Sequence, residues 1–167
     1  MPKSFDCSVE TPVSIEQIHA VYCQRDYWEA RLAPHKDVVE LRSFDVDAGG
    51  TVRTTVVQDL RNVVLPPPFG KLYPRGLELV QSETWTVDHD ATVRGDIHVK
   101  AHGAPGSGRG RVVITPSRDA KRLECSATVQ VKVPLVGGKL ENLYGRQMID
   151  QIPDTLRSIK EWIDESA

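Results

Sequence analysis

The chain has 167 residues, 40% hydrophobic and 26% charged, with a formal net charge of −2. Such a balance excludes intrinsic disorder, which pairs low hydrophobicity with a large charge imbalance. Its length suits one domain spanning residues 1–167 and is ample for a hydrophobic core. No apolar run approaches the roughly 18 residues needed to span a bilayer, so stable membrane insertion is not expected. Met1 to Asp6 lack the apolar segment of a signal peptide. The three cysteines, Cys7, Cys23 and Cys125, form neither CxxC spacing nor an even set. They read as reduced, buried thiols of a cytoplasmic protein.

Phe5, Cys7 and Val9 alternate with Asp6 and Ser8, which predicts a first strand with one buried face. Ser14 is a helix N-cap, and Gln17 completes a capping box. Ile15, Ile18, Val21 and Tyr22 give a short helical stripe. A second short helix is expected over 25–32, with Tyr27, Trp28 and Leu32 inward, ending before Pro34.

Strands and turns follow. Strands are predicted over 38–46, 51–60, 77–87, 91–101, 111–115 and 122–133, with Asp47-Ala48-Gly49-Gly50 as a hairpin turn. Residues 102–109 hold Gly103, Pro105, Gly106 and Gly108 and read as a loop. Consecutive strands with short turns imply an antiparallel meander. In the last strand Leu123, Cys125, Ala127, Val129, Val131 and Val133 share one face, and polar residues hold the other.

After Gly137-Gly138 the period changes. Leu140, Leu143, Tyr144, Gln147, Met148, Ile152, Leu156, Ile159 and Ile163 recur at steps of three and four. That is one face of a helix of roughly 25 residues, about 38 Å long. Pro153 predicts a bend or break near 149–153.

Strand, two short helices, meander and long terminal helix resemble the helix-grip fold of the START-like, pollen-allergen-like (SRPBCC) superfamily. Several segments resemble an uncharacterised actinobacterial branch of it: Ser4-Phe5-Asp6, Tyr27-Trp28, Glu83-Thr84-Trp85, the run from Ala104 to Gly110, and Lys132-Val133-Pro134-Leu135-Val136-Gly137-Gly138-Lys139. The resemblance implies an α+β fold in which a curved antiparallel sheet of about seven strands wraps a long C-terminal helix. It also implies a cavity for lipids or other hydrophobic small molecules. By fold analogy alone, a polyketide-cyclase-like enzyme is a further possibility.

Small inward residues, Gly95, Ala101, Cys125 and Ala127, are expected to leave the cavity open. Gln81, Glu83 and Trp85 share one strand face; if that face is the concave one, a carboxylate and an amide point into the cavity, whereas a one-residue bulge would turn Glu83 outward. Tyr144 and Gln147 on the helix could supply their partners, and Met148 suits an adaptable wall. Phe69 and Tyr73 belong to an unusually apolar loop and are expected over the mouth. These eight residues are the expected ligand-binding set.

No cofactor, metal or catalytic set is expected. The run from Gly106 to Gly110 precedes a strand, the wrong context for a phosphate loop, and Gly137-Gly138-Lys139 lacks the full pattern. His98 and His102 would stand roughly 13 Å apart on a strand. An alternative reading rests on residues 94–132, where eight basic residues face three acidic ones. Arg94, Lys100, Arg122 and Lys132 fall on the outer face, with Arg109 and Arg111 in the neighbouring strand. They could engage an acidic protein or anionic membrane. No aromatics are interleaved with them, so single-stranded nucleic acid is disfavoured.

Overall fold

The computed structural model describes residues 2–64, 69–72, 76–102, 106–119 and 121–167; of Phe69 and Leu72 it describes the backbone alone. Strand β1 (Lys3–Glu10) leads into α1 (Ile15–Tyr22) and α2 (Arg25–Leu32). A meander follows: β2 (Val39–Val46), β3 (Val52–Asp59), the short α3 (Phe69–Leu72), β4 (Glu78–Val87), β5 (Val93–His102), β6 (Ser107–Pro116) and β7 (Arg122–Lys132). The chain then forms α4 (Gly137–Asp150) and α5 (Ile152–Ser166). The seven strands form one antiparallel sheet in the order β1-β7-β6-β5-β4-β3-β2. This is the expected helix-grip arrangement.

Local chemistry sets the ends of these elements. Ser14 caps α1 and the Gln17 side chain returns to the Ser14 N–H at 2.9 Å, completing the capping box. Trp28 is buried and donates its indole N–H to the Tyr22 carbonyl at 2.8 Å, tying α2 to the end of α1. The terminal helix breaks at Gln151, with Pro153 in the first turn of α5. Proline's missing N–H costs nothing in a first turn, so the break falls just before it.

Two expectations need correction. Strand β6 begins at Ser107, so the loop expected over 102–109 is shorter than its glycines suggested. Gly108 and Gly110 are strand residues on the concave face. A Cβ on Gly110 would meet the Met148 methyl at 3.2 Å, so glycine there permits a close approach by α4. The helical stripe is also not continuous. Helix α4 buries Leu140, Glu141 and Gly145, while Leu143 is 55% exposed. Gly145 lies against Phe5: a Cβ there would fall 2.0 Å from the ring. That glycine seats α4 close on β1, turning Leu143 to the outside.

Candidate functional site: a cavity under the sheet

The concave face of the sheet does not meet α4 and α5 along its whole width. A cavity of about 640 Å³ lies between them. Its sheet side is mainly apolar, with Leu79, Ile97, Val99, Ala101, Val129 and Val131. The helices close it with Leu140, Met148, Ile152, Leu156 and Ile159. Strand alternation produces this wall directly, because every second residue of β4, β5 and β7 points the same way.

The hollow is not where every small residue led one to expect it. Ala101 lines it, but Gly95 is covered by the Trp85 ring: a Cβ on Gly95 would fall 2.4 Å from Cζ3. Cys125 faces Cys7 across the β1–β7 register, and Ala127 faces Phe5. Gly95 is small because the Trp85 ring stands over it, while Cys125 and Ala127 are buried beside their β1 neighbours. The cavity opens further along the strands, toward the end where β5 finishes and β6 begins.

Among the polar groups of the wall, which also include Gln58, Gln147, Gln151 and Thr155, β4 carries an ordered chain. Gln81 donates its amide N–H to Glu83 Oε1 at 2.6 Å, and Trp85 donates its indole N–H to Oε2 at 2.7 Å. Glu83 is buried, so both carboxylate oxygens are satisfied by neighbours on their own strand. Tyr144, Gln147 or a ligand were the candidate partners; residues at i−2 and i+2 each donate to one of its oxygens. The Trp85 ring is fixed in turn by an edge-to-face contact with Tyr22, centroids 5.0 Å apart.

Of the eight expected site residues, Gln81, Glu83, Trp85, Tyr144, Gln147 and Met148 all line the cavity. Tyr73 lies outside the described residues, as does the Phe69 side chain, whose backbone is in α3. Sequence reasoning missed Tyr22 and Arg31, which also line it. Arg31 stands three residues after Trp28, one turn along the same helix face, and its guanidinium lies 5.5 Å from the Trp28 ring centroid. Arg31 reaches solvent, and the desolvation of its inner part, which opposes its charge, is offset by Tyr22 and Glu83 beside it, which hold it above its usual range. Burial likewise pushes the Tyr22 phenol well above its ordinary range. The spacing from Trp28 was the available signal for Arg31.

The outer sheet face is less basic than its composition. Arg94 pairs with Asp88, Arg111 with Asp96 at 3.2 Å and Arg122 with Glu10 at 3.7 Å. Among the described residues no group of three or more His, Cys, Asp or Glu side chains is placed to hold a metal. No helix of the described residues is long and apolar enough to cross a membrane.

A curved seven-stranded sheet gripping a broken terminal helix over a lined hollow defines the START-like, pollen-allergen-like class. Two solved structures share this fold. One is a START superfamily protein from Mycobacterium smegmatis, with TM-score 0.52, 13% identity, and 95% of this chain and 98% of that one covered. The other is Ara h 8.0201, with TM-score 0.51, 11% identity and 99% of each chain covered. Within the class, residues 6–163 match the family described as "Protein of unknown function (DUF2505)", and the chain belongs to it. The uncharacterized protein Rv0481c of Mycobacterium tuberculosis is 33% identical over 170 residues, 98% of each chain.

Proposed function

We propose that residues 1–167 act as one ligand-binding domain that carries or senses a hydrophobic small molecule or lipid. The observation that carries this reading is the roughly 640 Å³ hollow with a mainly aliphatic wall. That volume falls within the range of small-molecule sites, about 300 to 1,000 Å³. A mainly apolar wall with a few fixed polar groups favours a ligand that is apolar over most of its surface. Gln81, Glu83 and Trp85 then orient it from β4, while Tyr144, Gln147 and Met148 contact it from α4. Phe69 and Tyr73 belong to the connection over the mouth in this reading.

Glu83 is held by two donors, which suits an orienting role better than proton transfer. The three cysteines are free thiols, which suits the cytoplasm. The paired arginines of the outer face weaken the alternative reading of that face as a basic docking surface.

The test is titration with N-phenyl-1-naphthylamine, an uncharged dye that brightens in apolar surroundings. Saturable binding is expected, and it should be lost when Ala101→Trp or Val99→Trp fills the hollow. Absence of saturable binding, or filled variants that bind equally well, would overturn the proposal.

A further inference from the structure

The large hydrophobic side chains most exposed among the described residues are Val63, Val64, Leu135, Leu143 and Tyr144. They are not scattered. Val63 and Val64 follow β3, and Leu135 follows β7. Asp59 at the end of β3 faces Glu78 at the start of β4. Ser107 at the start of β6 faces both Lys100 and Lys132. All these strand ends therefore lie at one end of the sheet. Leu143 and Tyr144 are on α4, whose chain starts from that same end. The cavity reaches it too, since Leu60, Leu77, Gly106, Val133 and Tyr144 are among its lining.

Leu135 is the sharpest of these. It is 100% exposed and its φ is +70°, a left-handed conformation that a branched side chain adopts at a cost. Glycine would fit that backbone without strain and would hide the apolar surface. A fully exposed leucine on a strained backbone satisfies neither folding nor solubility. It suits a surface that becomes covered.

The charges around it indicate what covers it. Lys71, Lys100, Lys132 and Lys139 are exposed at this end, while Arg61 is paired with Asp59. Against the four lysines stand the half-buried Glu78 and, at the β2 edge, the exposed Asp37 beside Lys36; Glu40 there lies 3.7 Å from Arg42, and Glu141 is buried and accepts the Val131 N–H at 3.0 Å. Apolar tips within a ring of lysines fit an anionic bilayer surface: the tips enter the headgroup layer and the lysines meet the phosphates. We propose that this end, with Leu135 and Val64 at its tips, docks on anionic membranes and places the cavity mouth against the lipid. What would pass through that mouth rests on the cavity reading; the docking itself does not.

Sedimentation with phosphatidylglycerol-containing vesicles, and with phosphatidylcholine vesicles as control, tests this. The intact chain should pellet with the anionic vesicles and be released by salt. Leu135→Gly combined with Val64→Ser should weaken that binding by about tenfold or more. The same variant should keep its melting temperature, because glycine relieves the backbone at 135 and both side chains are exposed. No vesicle binding, or binding unchanged by the double substitution, would overturn the proposal. So would binding lost on Arg94→Gln and Arg111→Gln instead, which would assign it to the outer sheet face. A concentration-dependent dimer abolished by the same double substitution, without vesicle binding, would give this end to a second copy. Dye binding measured in the same samples separates the two proposals: dye without vesicles sinks the docking alone, and vesicles without dye sink the cavity reading alone.

Discussion

Gly95→Ala is the smallest change that reaches the site. The added methyl would stand 2.4 Å from Trp85 Cζ3, 2.6 Å from Cη2 and 2.7 Å from Cε3. Relief requires the indole to move, because the clash is with a ring face and not with a flexible tip. The ring is 6% exposed, packed edge-on against Tyr22 and tied to Glu83 at 2.7 Å. Overpacking of this kind costs about 1–3 kcal/mol. Loss of a hydrogen bond to a charged group adds about 1.5–3 kcal/mol where the bond breaks fully. About 3 kcal/mol is therefore a reasonable total, and for a chain of this length it lowers Tm by roughly 6–12 °C. Thermal unfolding followed by circular dichroism reads this directly, and tryptophan fluorescence reports the ring's displacement. A Tm within about 2 °C of the parent, together with an unchanged emission spectrum, would refute the description of Gly95 as the seat of Trp85.

Glu83→Gln keeps the size of the side chain but leaves one acceptor oxygen for two donors, so urea unfolding should show a loss of about 1–3 kcal/mol. Glu83→Ala should lose more and should also change dye affinity; unchanged melting and unchanged binding would remove Glu83 from the site. Gly145→Ala places a methyl in the Phe5 ring and should destabilise by about 1–3 kcal/mol despite the better helix propensity of alanine. Adding Phe5→Leu should restore part of that loss, as a double-mutant cycle would show. Burial, aided by the neighbouring Cys7, pushes the Cys125 thiol up to about 12. In the native state Cys125 should therefore be the slowest of the three cysteines to react with iodoacetamide near about pH 8. Its protonated thiol contributes stability in full below the ordinary thiol range of about 8.5, and that contribution fades as pH rises toward the folded value. Urea midpoints should accordingly fall more steeply with pH in the parent chain than in Cys125→Ala.

Much of the fold was legible because its strands alternate cleanly. Leu123 to Val133 and Leu77 to Val87 each show a two-residue period that leaves little choice of face, and Ser14 with Gln17 marks a helix start unambiguously. The strand trio Gln81, Glu83 and Trp85 followed from the same alternation. What was hidden depended on contacts between distant segments. Whether a small residue marks a void or a close neighbour is not encoded at the residue itself: Gly95 reads like Ala101 until Trp85 is placed over it. Glycine spacing extended the expected loop through 109, past the true start of β6 at Ser107, and the value of the next glycine, Gly110, lies in its approach to Met148, a residue 38 positions away. The outward turn of Leu143 likewise depends on Gly145 seating α4 on Phe5.

The most direct measurement is native mass spectrometry of the freshly purified chain, set beside the mass of the same sample after denaturation and solvent extraction. A reproducible added mass in the native spectrum is expected, with the extracted compound apolar over most of its surface and absent from preparations of Ala101→Trp. A native mass equal to that of the bare polypeptide, joined to a failure to bind the uncharged dye, would contradict the account.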